Sequence, residues 1–357
     1  MTDSNTNKPR ILVIDDEPFF LQLLTEALSE KFQISLAKNG RQGLTRAEGE
    51  AKPDLILLDV VMPEMDGYET CKALKENIYT REIPVIFLTA KRDVEDELKG
   101  FNLGAVDYIT KPISIPILLT RVQTQLALSQ QKIALEQLVQ ERTREIEVTK
   151  DAIVYSMGEM AEARDKETGN HLLRTKEYVR VLAEQLATTD KYKSVLTTAM
   201  INAFQRAAPL HDIGKIAVPD SVLLKEGPLD NDERKIMDLH PVYGKTTIEN
   251  SESKIGSTLF ITIAKEIAYS HHERWDGSGY PQCLKQEKIP LSARLMALAD
   301  VYDALVSKRC YKEAMLHDEA VSLIAEARGS HFDPDIIDSF IAVKSEFKII
   351  SDQYKDE

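Results

Sequence analysis

His211-Asp212-Ile213-Gly214-Lys215 opens a stretch that passes a lone His240 and reaches His271-His272-Glu273-Arg274-Trp275-Asp276-Gly277-Ser278-Gly279-Tyr280-Pro281, closing at Asp300. The chain has seven histidines, and His211, His240, His271 and His272 gather here among aspartates. Neutral imidazole and carboxylate are the donors that iron, manganese, nickel and zinc prefer. Adjacent His-Asp and His-His pairs cannot share one helix face, so tertiary folding has to bring them together. One such histidine reads as an ordinary satisfied polar side chain; four with acids interleaved read as a metal centre. Residues 151–357 around this stretch are rich in helical patterning and poor in strand-like runs, which predicts an all-α domain. Upstream, Glu167-x-x-x-His171 has the i, i+4 spacing that puts two side chains on one helix face. Taken alone, that pair reads as a surface ion pair or hydrogen bond.

Together, His-Asp-Ile-Gly-Lys, Pro219 and His-His-Glu-x-x-Asp-Gly-x-Gly-Tyr-Pro resemble the HD-GYP family, a branch of the HD metal-dependent phosphohydrolases, over about residues 150–345. The resemblance implies hydrolysis of cyclic di-GMP to linear pGpG, with GMP as a further product to look for. It implies a ligand set of Glu167, His171, His211, Asp212, His240, His271, His272 and Asp300, with Asp212 bridging two ions. Two to three divalent ions are expected, iron first and manganese or another first-row ion second, and Glu167 favours a site able to take three. Such ions acidify a water and clamp phosphoryl oxygens, so no covalent nucleophile is needed. Asp212 and Lys215 carry the catalytic expectation. Lys215, Arg309 and Lys312 match positions that touch substrate phosphates, where a developing negative charge needs cations. Tyr280 reads three ways: as a stacking or hydrogen-bonding contact to guanine, as a contact to a partner protein, or as part of a rigid turn packed on Trp275. His331-Phe332-Asp333-Pro334 resembles a family tail motif that caps the helical core, a structural role.

A length of 357 residues suggests two domains, each able to bury its own core. The net charge of −13 and the lack of a basic cluster argue against DNA binding. Cys71, Cys283 and Cys310 lie far apart with no CxxC, as reduced cytoplasmic thiols would. The polar start, Met1 to Arg10, has no apolar signal-peptide core, and no apolar run approaches the roughly 18 residues a membrane span needs. The expectation is a soluble cytoplasmic protein with no membrane insertion.

Before the helical half, apolar runs alternate with amphipathic stretches: Ile11 to Ile14, Asp54 to Leu58 and Pro84 to Leu88 are each followed by a helical pattern. Continuous apolar strands between helices predict a parallel sheet covered on both faces, with ligands beyond the carboxyl ends of the strands. Those ends carry Asp15-Asp16, Asp59, Thr89 and Lys111. Clustered carboxylates need a cation, and oxygen-only ligands suit magnesium. A hydroxyl and an ammonium beside them can hold phosphoryl oxygens. Residues 8–126 therefore resemble a response-regulator receiver, a flavodoxin-like α/β fold with a five-stranded parallel sheet. The resemblance makes Asp59 the phosphoacceptor and Asp15, Asp16 and Asp59 the magnesium site. It makes Thr89 the switch hydroxyl, Tyr108 the rotating aromatic and Lys111 the phosphate-contacting lysine, with a sensor histidine kinase as partner.

Between the halves, Ile117 to Glu147 has neither Gly nor Pro and is dominated by Gln, Glu, Leu and Arg, as a long helix requires. Leu119, Val122, Leu126 and Ile133 keep a coiled-coil-like spacing that Gln140, Thr143 and Glu147 then break. Residues 127–150 read as a helical connector, either a solvated spacer or, preferred here, the coiled coil of a parallel homodimer. The whole is a two-component output protein controlled at Asp59. Its rivals are a hydrolase of another cyclic dinucleotide, such as cyclic GMP-AMP, and a non-catalytic cyclic di-GMP receptor acting through contacts at Gly279-Tyr280-Pro281.

Overall fold

The computed structural model describes residues 8–90, 94–164, 170–307 and 314–355. The chain divides into two compact units, Met1–Thr143 and Arg144–Glu357, and the division falls inside the expected connector.

The first unit alternates β1 (Arg10–Ile14), α1 (Pro18–Leu28), β2 (Gln33–Ala37), α2 (Gly40–Glu48), β3 (Leu55–Asp59), α3 (Gly67–Glu76), β4 (Val85–Thr89), α4 (Val94–Asn102) and β5 (Asp107–Thr110). All strands pair in parallel in the order β2-β1-β3-β4-β5. Because side chains alternate across a strand, β1, β3 and β4 feed two cores. Leu12, Ile14, Ile56, Leu58, Val85 and Phe87 face one side of the sheet; Ile11, Val13, Leu55, Leu57, Ile86 and Leu88 face the other. Burial on both faces is why these strands read as unbroken apolar runs. Local signals start the helices: Pro18 opens α1, Asn39 accepts from the Gln42 N–H to cap α2, and Asp66 with Glu69 forms a capping box on α3. The strand order reverses between β1 and β3, so the chain parts there and exposes the sheet edge that carries Asp15 and Asp59.

A single helix, α5 (Ile115–Glu162), begins in the first unit and ends in the second. Its opening turns bury Leu118, Val122 and Leu126 against the sheet. From Leu128 to Val148 its apolar side chains, among them Ile133, Leu135, Leu138 and Val139, are exposed. The helical segment therefore outruns the expected connector by twelve residues, from 150 to Glu162. A lone Gly158 inside the segment is too weak a breaker to stop it.

In the second unit α6 (Asn170–Ala187) and α7 (Thr198–Ala207) lead into two short 3-10 turns, Ala208–Leu210 and Ile213–Ala217. There follow α8 (Asp220–Leu223), α9 (Asn231–Met237), α10 (His240–Ile255), α11 (Leu259–Ser270), α12 (Leu291–Val306), α13 (His317–Glu326) and α14 (Pro334–Gln353). No strand ladder forms here among the described residues. The core is aromatic at its centre: Tyr178 of α6 stacks on Phe347 of α14 at 4.4 Å, and Tyr302 of α12 meets both edge-on. Phe332 enters this core and Asp333 caps α14, accepting from the Asp335 N–H and pairing with Arg294. Residues 331–334 thus stand where a structural cap would. Among the described residues no helix is long and apolar enough to cross a membrane.

Candidate functional site

Two sites emerge, one in each unit. At the sheet edge of the first, Asp15, Asp16 and Asp59 bring carboxylate oxygens within 4.8 Å of one another. Lys111 leans across them, its Nζ 2.9 Å from Asp15 Oδ2 and 3.1 Å from Asp59 Oδ2. Burial, and then the charge of Asp15, push the Asp59 carboxyl up to about 6, with Lys111 opposing the rise. Such crowding of oxygen ligands fits a hard divalent cation, which would restore the ionised form. Thr89, buried, ends β4, and its carbonyl accepts from the Lys111 N–H at 2.7 Å. Tyr108, on β5, is half-buried and meets Phe101 edge-on at 6.0 Å.

The second site is built on the turn between the two 3-10 segments. His211 closes the first and Asp212 opens the second. A 3-10 helix eclipses residues three apart, which sets Lys215 directly over Asp212, Nζ to Oδ2 2.8 Å. Gly214 is required here, because a Cβ would lie 1.9 Å from the His240 carbonyl oxygen. Its absence lets the turn press on the start of α10, and His240 meets Asp212. The two residues after α11 supply His271 and His272.

These side chains converge through one kind of nitrogen. His240 Nε2 is 3.0 Å and His271 Nε2 3.5 Å from Asp212 Oδ1, while His240 Nε2 is 3.2 Å from His272 Nε2. Two donors each about 2.1 Å from one ion and about 100° apart lie roughly 3.2 Å from each other, so the spacing suits a single first-row ion. On the other side of the same carboxylate, Asp212 Oδ2 lies 3.3 Å from His211 Nε2. Asp212 thereby offers one oxygen to each of two clusters, as a bridging ligand would.

Backbone carbonyls set the rings. His211 Nδ1 bonds to the Ala208 carbonyl at 3.0 Å, His240 Nδ1 to Met237 at 2.8 Å and His271 Nδ1 to Ile267 at 2.9 Å. A carbonyl only accepts, so Nδ1 carries the proton and the Nε2 lone pair faces inward, the tautomer a metal needs. Burial, joined by the neighbouring imidazoles, holds His271 below and His272 well below the usual histidine range, the neutral, ligand-ready form. Burial opposes the charge of Asp212, yet Lys215 and then His211 keep its carboxyl well below the usual range.

The second cluster joins His211 to His171 of α6 and to Glu162, all buried, with ligand atoms within 4.8 Å of one another. His171 Nε2 stands 3.6 Å from Glu162 Oε1 and 3.8 Å from Asp300 Oδ1. Its Nδ1 is bonded at 2.8 Å to buried Asp303, which also holds Arg174 Nε at 2.6 Å. Burial works against the charged ring. The Asp303 bond and charge, then Glu162 and Asp300, nevertheless push His171 up to about 10. A pocket that stabilises positive charge this strongly suits a cation.

Of the residues singled out in the sequence, His171, His211, Asp212, His240, His271, His272 and Asp300 gather here with Lys215. Glu167, Arg309 and Lys312 lie outside the described residues. Glu162 and Asp303 were not singled out. Asp303 had a signal, since it sits one turn after Asp300 on α12 and shares its face. Glu162, nine residues before His171, had none at any ligand spacing.

Behind His272 the Gly277–Pro281 loop forms a rigid bracket. The buried Glu273 carboxylate accepts from the Gln282 N–H at 2.7 Å and the Leu284 N–H at 3.0 Å. A Cβ on Gly279 would lie 2.3 Å from Arg274 N and 2.5 Å from His272 O, so only glycine packs there. Tyr280 stacks on His272 with centroids 4.8 Å apart and planes 24° from parallel. The tyrosine is thus a support for that ring.

Comparison with known proteins agrees with both halves. The HD domain family model matches residues 132–336 and the response regulator receiver domain model residues 11–123. A probable cyclic di-GMP phosphodiesterase of Vibrio cholerae is 49% identical, covering 100% of this chain and 82% of that protein. The cyclic di-GMP phosphodiesterase response regulator RpfG of Xanthomonas campestris is 34% identical, covering 96% of this chain and 90% of that one. A 3'3'-cGAMP-specific phosphodiesterase 2 of Vibrio cholerae is 38% identical over 55% of this chain and 37% of its own length.

Proposed function

This chain belongs to the response regulators that join a receiver domain to an HD domain, and from that membership we propose that it hydrolyses cyclic di-GMP at the Asp212 centre under control of phosphorylation at Asp59. The observation that carries the reading is the Asp212 carboxylate, with one oxygen toward His240 and His271 and the other toward His211. Asp212, His240, His271 and His272 would hold one ion, and His211, His171 and Asp300 with the shared Asp212 a second. Bound there, divalent ions supply the Lewis acidity that turns water into hydroxide and neutralises a phosphodiester. Mixed imidazole and carboxylate donors suit iron first and manganese second, whereas the receiver carboxylates suit magnesium.

The chain's own groups do the rest. Lys215, 2.8 Å from Asp212, sets positive charge beside the reacting phosphate and keeps the bridging carboxylate ionised. Arg309 and Lys312 are assigned to the substrate phosphates on the family resemblance alone. The partly exposed Tyr280 ring, backed by His272, is assigned to contact with a guanine or a partner protein. In the receiver, Lys111 reaches Asp59 and would hold a phosphoryl oxygen delivered by a histidine kinase.

The domain plan is a receiver over 8–126, a connector over 127–150 and the phosphodiesterase over 151–357. The exposed apolar side chains of α5 from Leu128 to Val139 support a parallel homodimer through the connector. Free Cys71 and Cys283 suit a reducing cytoplasm.

The second reading, hydrolysis of 3'3'-cGAMP, is favoured by the cGAMP-specific relative. The test is turnover of both dinucleotides by anaerobically purified protein, with metal content and light-scattering mass taken on the same sample. Cyclic di-GMP cleavage at the higher kcat/KM, with at least two ions per chain and a dimer mass, is expected. Preference for cGAMP favours the second reading. Binding without cleavage by metal-loaded protein would make the chain a receptor, and a mass of one chain removes the coil.

A further inference from the structure

We infer that Glu162, the last residue of α5, is a carboxylate ligand of the second metal position, completing a donor set with His171 and His211. The inference rests on the reading of the Asp212 centre as a metal site and names a ligand that the sequence did not suggest. Three observations carry it.

Glu162 is 2% exposed, and removing a carboxylate from water costs several kcal/mol unless a cation compensates. Its oxygens point to where two imidazoles converge: Oε1 is 3.6 Å from His171 Nε2, and the three side chains bring ligand atoms within 4.8 Å. Both rings are committed through Nδ1, to Ala208 O and to Asp303, so each turns its Nε2 toward the glutamate. Donors separated by about 3–4 Å around a shared centre are what one first-row ion collects.

The helix end that carries Glu162 is also fixed in place. Ala161 is buried in the core of the unit. Two residues on, Arg164 donates to the carbonyls of Lys215 at 3.3 Å and Val218 at 3.1 Å, and pairs with Asp220. Those carbonyls belong to the turn that holds Asp212 and Lys215. Glu162 is therefore tied to the frame of the bridging aspartate on one side and to the core on the other. A ligand geometry needs that rigidity, and a merely solvating carboxylate would not.

The rival role for Glu162 is to balance the charge of His171 without touching an ion. Metal stoichiometry separates the two, because a charge partner outside the ion's reach leaves the count intact. The test is metal content by mass spectrometry, with manganese titration and circular dichroism, on full-length wild type, Glu162→Gln, Glu162→Asp and Glu167→Gln. The amide keeps the shape of the side chain, so folding is preserved while the charged donor is lost.

Glu162→Gln is expected to lose about one equivalent of ion per chain or to weaken manganese binding more than about 100-fold, beyond what removing a supporting residue does. Glu162→Asp, should the amide fail to fold, is expected to keep the ion at lower affinity. Wild-type content in both Glu162 variants overturns the inference while leaving the metal-site reading standing. Loss of the ion in Glu167→Gln together with wild-type content in Glu162→Gln assigns the position to Glu167 and overturns it equally. Fewer than two ions in the wild type overturns both readings.

Discussion

Asp303→Asn removes one charge and leaves the shape almost unchanged, so it isolates what that charge supports. The carboxylate is 1% exposed and accepts from His171 Nδ1 at 2.8 Å, from Arg174 Nε at 2.6 Å and from Arg174 Nη2 at 2.9 Å. Burial opposes its ionisation, yet His171 and then Arg174 hold it down to about 2. Against an unfolded value near 3.8, that is roughly 2 kcal/mol of stability, present above about pH 4 and lost as pH falls toward 2. The amide takes more than this away. Its oxygen can accept from one of the two partners, but its NH2 then faces the other donor, and the Arg174 guanidinium stays buried without that carboxylate. Breaking a buried pair in this way costs about 3–5 kcal/mol. The only tryptophan, Trp275, lies in the helical unit. Its fluorescence during urea unfolding therefore reads the loss directly. The variant should also bind metal about 10–100-fold more weakly, since Asp303 sets the tautomer and angle of His171. A loss below about 1 kcal/mol with unchanged metal affinity would refute the claim that this carboxylate holds either Arg174 or His171 in place.

Two further outcomes follow from single side chains. Gly279→Ala sets a Cβ 2.3 Å from Arg274 N and 2.5 Å from His272 O, where only backbone could yield. Overpacking of about 1–3 kcal/mol and a disturbed Tyr280–His272 stack are expected, read as a lower urea midpoint and fewer bound ions; a wild-type midpoint contradicts the bracket. His331 is lowered to about 4 by burial and then by Arg274. Between about pH 6.5 and 4 the unfolded ring takes up a proton that the folded one does not, so stability rises with pH across that window and is lost on acidification. His331→Gln should shrink the drop in unfolding free energy between pH 7 and pH 5, read from urea titrations, by roughly 1–2 kcal/mol after allowance for partial exposure; an unchanged drop removes His331 as its source.

The α/β unit was legible because its evidence is local. Ile11–Ile14, Leu55–Leu58 and Val85–Leu88 are apolar without interruption since both sheet faces are covered, and the acids at their ends sit at the carboxyl ends of the strands, where a parallel sheet binds ligands. His171 and Asp300 entered the candidate metal site through the family resemblance. His211, Asp212, His240, His271 and His272 were legible for another reason: imidazoles clustered among aspartates stand out without any knowledge of the fold. Glu162 was not, because its relation to His171 and His211 is created by the turn after α5 and the packing of α6, and neither is written in a spacing. The form of the Lys215 contact was hidden for a similar cause. Residues 213–217 wind as 3-10, and Gly214 within them lies against the His240 carbonyl, a contact across 26 residues that no local spacing announces. Asp303 lies between these cases, visible as a face-mate of Asp300 but not as the partner of a histidine 132 residues away.

The supports explain how so few side chains build the candidate centre. Each of His211, His240 and His271 is aimed by a carbonyl three or four residues earlier in the chain, at Ala208, Met237 and Ile267. Those carbonyls sit in or beside helix ends, and the Ala208 and Ile267 carbonyls also accept the backbone N–H of the same histidine. The ring orientations are therefore properties of the local helical backbone and are set as soon as each segment folds. For the other two rings the described contacts are to more distant side chains. His171 is oriented by Asp303, and His272 rests on Tyr280, each a tertiary contact. A substitution distant from the pocket should consequently disturb His171 and His272 before the other three. Loss of ions that begins at these two rings under mild denaturant is the corresponding physical order: backbone-anchored ligands stay aimed until their helices unwind, and tertiary-anchored ones fail when packing loosens.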